Sequence, residues 1–287
     1  SYPHWRPGDP DPDDCLLILE DRDGDGKADH ETVFASGLHV PTGFEFAVDG
    51  VYVMQGKDLV LLRDRDGDDR CDEREVVLSG FDDHDTHHAA GAFETDPAGG
   101  IFFSEGIFLH SDVETVHGTV RGTNGGFFRF DPVNRKLERA AQLQIPNPWG
   151  TAFDHWGQAF FLHTSGPTLE WMTPGRVKPI YGVNRRYSKD LIPAGKSVRP
   201  TAGLEVISSR HFPDEVQGDL LINNTIGLRG TRQHAVREDG TGYQLSFRQD
   251  LLQSSDGNFR PVDLEFAPDG SLYLVDWSNT LIGHMQH

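Results

Sequence analysis

The chain has 287 residues, 26 Lys+Arg against 45 Asp+Glu and a formal net charge of −19, so it repels nucleic-acid phosphates and anionic membrane surfaces alike. Its 32 glycines and 17 prolines favour many turns over long helices. Two cysteines, Cys15 and Cys71, with no CxxC or CxxCH, exclude a disulfide scaffold, a cysteine zinc site and a covalently attached c-type haem within these residues.

The chain opens at Ser1-Tyr2-Pro3 without a charged, apolar, cleavable leader, as expected of a mature or trimmed product. No apolar run approaches about 18 residues, so no membrane span is predicted. Residues 17–38, LILEDRDGDGKADHETVFASGL, then recur at 60–81 as VLLRDRDGDDRCDEREVVLSGF. The offset of 43 residues, without a gap, is the length of one four-stranded propeller blade. A second pattern begins at Pro41, His88, Pro148, Pro200 and Pro261: a short apolar strand, a turn rich in Asp and Gly, and another apolar strand. Such alternation reads as antiparallel hairpins.

The predicted fold is therefore all-β, a β-propeller of four-stranded blades, with 1–287 as a single propeller domain and a fragment of a longer chain. Residues 16–36 supply only an outer strand pair and residues 260–276 only an inner pair. Either the two pairs exchange strands and close a five-bladed ring, or about five blades' worth of strands belong to a six-bladed ring. In such blades the residues before the first strand and after the second share one face, the top. The hairpin turns and the links between third and fourth strands share the bottom.

Asp21, Asp23, Asp25 and Asp29 take positions 1, 3, 5 and 9 of a DxDxDGxxD loop, and Asp64, Asp66, Asp68 and Asp72 repeat it, with Glu75 at position 12. Alternate carboxylates, plus a backbone carbonyl at position 7 (Lys27, Arg70), are the hard-oxygen arrangement that calcium takes. Each loop departs once: Thr32 stands at position 12 of the first, and Asp69 replaces the turn glycine (Gly26) in the second. Both loops link third to fourth strands, so two structural calcium sites are expected on the bottom. A solvated acidic turn is the plain alternative.

The expected top face gathers the reactive side chains. His39, the run His84-Asp85-Thr86-His87-His88, Asn147, Arg199 and Arg260 enter first strands, while Gln55, Glu105, His163, Asn224, Asp276 and Trp277 leave second strands. The loop 106–126, carrying His110, Glu114, His117 and Arg121, and a stretch from Thr164 to Arg199 rich in Arg, Lys and Tyr are placed there too. Histidine to accept a hydroxyl proton, an acid to orient it and arginines to hold an oxyanion are what sugar or polyol oxidation needs. Of His87 and His88, one is expected to face the channel and the other to pack between blades. Arg199 and Arg260 alternatively pair with Asp263 or Glu205, and His84, His87 and His88 alternatively bind a transition metal. No GxSxG, P-loop or GxGxxG follows a strand, so hydrolase-triad and dinucleotide readings have no support.

DTHHAAGAF, EGIFLHSDVET, NPWGTAFDHWGQAF, SSRHFPDEVQGDLLINNTIG and FRPVDLEFAPDGSLYLVDWSN carry a resemblance. Together they resemble the secreted bacterial propellers of the membrane-bound dehydrogenase family, the PVC-type haem-binding CxxCH proteins. More remotely the chain is similar to soluble quinoprotein glucose and sorbosone dehydrogenases. The resemblance implies six blades and a secreted or periplasmic protein that oxidises a sugar or polyol with pyrroloquinoline quinone on the top face. It implies electron transfer to a c-type haem domain or cytochrome. His87 or His88 would match the base, with Asp85 and Asn147 beside it, and Arg199 and Arg260 the quinone contacts. His39, Glu105, His110, His163, Asn224, Asp276 and Trp277 would line the substrate and cofactor site. The competing reading is a non-catalytic propeller whose His/Arg mouth binds a glycan or a protein.

Overall fold

The computed structural model describes residues 8–164, 166, 168–173, 180–183 and 189–281. Among them are 21 strands and a single-turn 3-10 helix, and no α-helix. The chain packs as two units, residues 1–95 with 99–140, and residues 96–98 with 141–287.

The first unit opens with a two-stranded sheet of β1 (Asp14–Glu20) and β2 (His30–Leu38). Next come β3 (Pro41–Ala47), β4 (Gly50–Gln55), β5 (Asp58–Arg63) and β6 (Glu73–Ser79), a consecutive antiparallel meander. The second meander is β7 (Gly91–Thr95), β8 (Ile101–Glu105), β11 (Gly126–Asp131) and β12 (Lys136–Gln142). Between β8 and β11 the chain leaves its own sheet. It forms β9 (Asp112–Thr115) and β10 (Gly118–Arg121), which extend the first meander beyond β6 through the pairing of Ser79 with Glu114. Residues 112–121 of the loop 106–126, expected on the top face, are therefore an outer-edge hairpin: Arg121 pairs with Asp112 at 2.9 Å, and a His117 ring nitrogen lies 3.3 Å from the Asn134 carbonyl. That hairpin leaves β6 less of a bare edge, which an isolated blade would expose to foreign strands.

The core of this unit lies between the two meanders: Tyr52, Met54, Leu59 and Leu61 from one, Phe103, Phe128 and Phe130 from the other, with Phe81 between them. Phe81 meets Phe103 and Phe128 edge-on at 5.6 and 5.5 Å, while Phe93 stacks on Phe103 at 5.1 Å. Each fully buried ring contributes roughly 1.5–3 kcal/mol over leaving it in water.

The second unit holds β13 (Pro148–Phe153), β14 (Ala159–His163) and β15 (Thr168–Trp171) in one sheet. A full four-stranded meander follows: β16 (Thr201–Val206), β17 (Leu220–Asn224), β18 (Gly230–Asp239) and β19 (Gly242–Gln253). β20 (Pro261–Phe266) and β21 (Leu272–Asp276) close the unit as a pair. Its core joins Phe160, Leu162 and Leu169 to Leu204, Val206, Leu220 and Ile222.

All five expected hairpins form, and so do both acidic links, after β1 and after β5. Every inner strand breaks register near its start, as at Pro41/Gly43 and Ala202/Leu204. Glycine stands there for a steric reason. A Cβ on Gly43 would lie 2.7 Å from the Phe93 ring, and one on Gly203 would lie 2.8 Å from Leu264, so a side chain would push neighbouring inner strands apart. The end pairs, β1–β2 in the first unit and β20–β21 in the second, are each a two-stranded sheet.

Candidate functional site

In the first unit the reactive groups cluster at the end of the sheets marked by Gln55 and Glu105. The segment 82–88 folds on its own carboxylates, because Asp side chains accept hydrogen bonds from nearby backbone N–H groups and so compete with strand formation. Asp85 Oδ1 accepts the His87 N–H at 3.2 Å, and Asp85 Oδ2 lies 3.0 Å from His88 Nδ1. The His87 ring approaches the same carboxylate, Nδ1 to Oδ1 at 3.7 Å. One acid thus bonds one imidazole and stands within ion-pair reach of a second. They differ in access: the His87 side chain keeps 21% of its surface exposed and the His88 side chain 4%, with His88 packed on Phe108. Thr86 Oγ1, between Asp85 and His87 in the chain, is buried without a hydrogen-bond partner.

Asp82, not singled out by the sequence, organises the other half. Its Oδ1 lies 2.7 Å from His84 Nδ1, and its Oδ2 accepts the His110 N–H at 2.7 Å. Burial works against its charge, but these bonds hold its carboxyl below the usual range. His110 Nδ1 lies 2.8 Å from Thr123 Oγ1, and His39 is half-buried with its N–H on Gln55 Oε1.

Glu105 is a correction. Expected at a substrate-lined mouth, it is fully buried, paired with Arg139 at 2.9 Å and accepting the Ser111 hydroxyl at 2.7 Å. Burial pushes its carboxyl up, and Arg139 pulls it back. Arg139 in turn donates to the Gly125 carbonyl at 2.6 Å and lies over the Phe128 ring at 4.3 Å. The pair is a structural bolt under the His/Asp cluster. Glu105 and Arg139 are 34 residues apart, so no local spacing signals it. His84, His87 and His88 do not bring three ligand atoms within 4.8 Å of one another; among the described residues the groups that do are the two acidic loops.

In the second unit several expected mouth residues are framework. Asn224 is buried, donating to the carbonyls of Val198 (2.9 Å) and Pro200 (2.7 Å) and accepting the Leu228 N–H. Arg260, also buried, donates to the carbonyls of Thr225 (3.1 Å), Phe259 (3.2 Å) and Thr280 (3.5 Å), and not to Asp263 or Glu205. His163 is buried; burial lowers its pKa against the pull of Asp190. Asn147 is half-buried and its carbonyl accepts the Thr164 N–H. Asp276 accepts the N–H groups of Arg260 and Ser278. Arg199 and Trp277 are exposed, as is Trp149. Arg176, Lys178, Arg185, Arg186 and Tyr187, from the basic stretch placed on the top face, lie outside the described residues.

The acidic loops share one geometry. Asp21 accepts N–H bonds from Gly24 (2.7 Å), Asp25 (3.2 Å) and Gly26 (2.7 Å), and Asp64 accepts them from Asp66 (3.2 Å), Gly67 (2.7 Å) and Asp69 (2.9 Å). The ninth residue, Asp29 or Asp72, accepts the N–H of the second, Arg22 or Arg65. Asp69 takes φ 65°, the left-handed conformation that Gly26 takes at 87° in the first loop. Oxygens of Asp21, Asp23 and Asp25 lie within 4.8 Å of one another, as do those of Asp64, Asp66 and Asp72. Repulsion from Asp72 and Asp68 raises the Asp66 pKa. Asp25 and Asp68 accept the N–H groups of Lys27 and Arg70. Glu75 stands apart, its oxygens 2.6 Å from Arg135 and 3.0 Å from Arg63, which hold its pKa at about 2. The second loop leaves β5 at Arg63, the end of that strand opposite Gln55 and the histidine cluster.

Three solved structures set the fold. A glucose-dehydrogenase-type oxidoreductase from Thermus thermophilus superposes with TM-score 0.62 at 17% identity, covering 92% of this chain and 86% of that one. A calcium structure of a family AA12 carbohydrate-active enzyme from Trichoderma reesei gives 0.59 at 12%, covering 92% and 85%. The PQQ-bound aldose sugar dehydrogenase of Streptomyces coelicolor gives 0.54 at 16%, covering 89% and 81%. At these identities the likeness establishes the fold, a β-propeller, and leaves the chemistry to the side chains. A search of curated proteins finds no match. A family model matches residues 1–287, and the chain belongs to that family, DUF7133, a domain of unknown function.

Proposed function

We propose that the chain is the propeller of a sugar or polyol dehydrogenase of the quinoprotein-like class, stabilised by calcium in its two acidic loops. The observation that carries this reading is the Asp85–His87–His88 arrangement, set on a fold shared with sugar dehydrogenases. His87 has the access a base needs, and the Asp85 carboxylate stands 3.7 Å from its ring, close enough to stabilise the imidazolium that forms. In this assignment His87 takes the hydroxyl proton as the substrate carbon is oxidised.

A hydride acceptor is still required, and pyrroloquinoline quinone is the one named for a structural relative. The chain's own residues fit it poorly. Arg260, implied as a quinone contact, has its guanidinium on three carbonyls, which leaves exposed Arg199 alone of the two. No step is therefore assigned to the quinone. Calcium fits better: each loop gathers three carboxylates, at positions 1, 3 and 5 of the first and 1, 3 and 9 of the second, and backbone N–H groups hold the leading Asp of each. The loop lies at the far end of β5 from His87, so its calcium is structural. Secretion to an oxidising compartment and electron transfer to a c-type haem domain or cytochrome belong to the same proposal.

The test is dye reduction by the calcium-loaded protein with a panel of sugars and polyols, with and without added quinone, alongside calorimetric titration of the quinone. Activity that falls at least about a hundredfold in His87→Gln, with the fold intact, supports the assignment. Absence of both turnover and micromolar quinone binding would replace it with the glycan- or protein-binding reading, for which exposed Trp149 and Trp277 supply stacking surfaces.

A further inference from the structure

Besides joining β5 to β6, the second acidic loop touches the neighbouring strand pair. β1–β2 forms its own two-stranded sheet and meets the β3–β6 meander through its face. Ala35 and Leu38 of β2, with Leu16 of β1, pack on Val53, Val60 and Leu62, and half-buried Cys71 belongs to the same cluster. The Cys71 N–H donates to the Phe34 carbonyl of β2 at 2.8 Å, and three residues on Arg74 donates to the Ser36 carbonyl at 2.6 Å. Cys71 is the eighth residue of the loop. It stands between Arg70, whose carbonyl takes position 7, and Asp72, one of the three carboxylates that the loop gathers. Asp72 is also tied back to β5 and the loop, its N–H donating to the Arg63 carbonyl at 2.9 Å and its Oδ2 accepting the Arg65 N–H at 2.8 Å. The backbone that would hold an ion therefore also holds β2. Ala28, at the eighth position of the first loop, is exposed. Mutual repulsion of Asp64, Asp66 and Asp72, with oxygens within 4.8 Å of one another, opposes this backbone conformation until a cation neutralises it.

We propose, resting on the calcium assignment made above, that calcium in the second loop controls the docking of β1–β2 on the first meander. The loaded loop keeps the Cys71 N–H and Arg74 aimed at β2, and the unloaded loop releases them. The coupling is reciprocal: a chain whose β2 is loosened binds calcium in this loop more weakly.

Hydrogen exchange of residues 31–37 in the wild type, with calcium and with EDTA, reads the docking without any variant, while calorimetric titration counts the ions. Ala35→Cys puts a thiol on the buried face of β2, where reagent reaches it only when β1–β2 lifts. Calcium is expected to protect residues 31–37 and to slow labelling of that thiol and of Cys71 by at least about tenfold. The slowing should persist when Asp21→Asn is added and disappear when Asp64→Asn is added. Arg74→Met, which leaves every ligand in place, should label faster and bind the second ion severalfold more weakly. Two bound ions with unchanged exchange and labelling, or slowing that survives Asp64→Asn, would overturn the coupling and leave the calcium assignment standing. Absence of any bound ion would remove both.

Discussion

Replacing Glu105 with Gln probes whether the buried bolt beneath the histidine cluster is ionic. The substitution keeps shape and leaves an oxygen to accept the Ser111 hydroxyl, but removes the counter-charge of Arg139, whose side chain is 6% exposed. Breaking one partner of a buried pair costs about 3–5 kcal/mol, since the remaining charge cannot return to water. That is a large share of the roughly 5–15 kcal/mol that holds a typical domain together. At about 2–4 °C per kcal/mol for a chain of this order, the melting temperature should fall by roughly 6–20 °C. Urea unfolding of Glu105→Leu, Arg139→Leu and the double variant Glu105→Leu/Arg139→Leu, beside Glu105→Gln, measures the coupling. The double variant is expected to recover most of the loss, because Leu at 139 can still pack on Phe128. A loss below about 1 kcal/mol in Glu105→Gln would mean that the carboxyl is already protonated in the fold, and the ion-pair reasoning would fail.

Further outcomes follow from other sites. His234, lowered from 6.5 to about 4 by burial, contributes stability that is complete above pH 6.5 and lost as pH falls to about 4; the loss is roughly 3 kcal/mol, and His234→Leu should flatten it in urea midpoints taken across that range. Glu205, raised from 4.5 to about 7 by burial, has the opposite sign: its contribution is complete below pH 4.5 and lost as pH rises through 7, and Glu205→Gln should remove that slope. Asp69→Gly, at φ 65°, should stabilise the second acidic loop by up to about 1 kcal/mol, read in melts with and without calcium. Calcium should raise the melting temperature of the wild type and EDTA reverse it, with about half the gain lost in Asp64→Asn; identical melts in both conditions would remove calcium from the account.

What could be read from the chain alone was whatever local chemistry dictates. Alternating apolar residues between Asp-Gly turns specify hairpins, because the side-chain period of a strand is two and these turns need residues that accept unusual backbone angles. A 43-residue self-match marks a blade, and carboxylates at every second position mark a cation loop whose geometry is set within nine residues. The Asp85–His87–His88 grouping was visible for the same reason: its members are adjacent, and one carboxylate reaches both rings.

What tertiary structure decided was which polar groups are buried, and against what. Glu105 ends a strand just as Gln55 does, yet only the fold brings Arg139 beneath it and converts a candidate ligand into a buried ion pair. Glu75 sits at the twelfth position of a calcium loop, yet Arg135, 60 residues away, draws it out of the ligand set. Arg260 and Asn224 look like recognition groups until neighbouring loops present carbonyls to them. A long charged side chain goes to whichever partner the packing presents, and the energy of that choice depends on burial, which no local spacing encodes. The −19 charge changes meaning accordingly: part of it is gathered into two acidic loops and part is paired inside, as with Glu105 and Arg139.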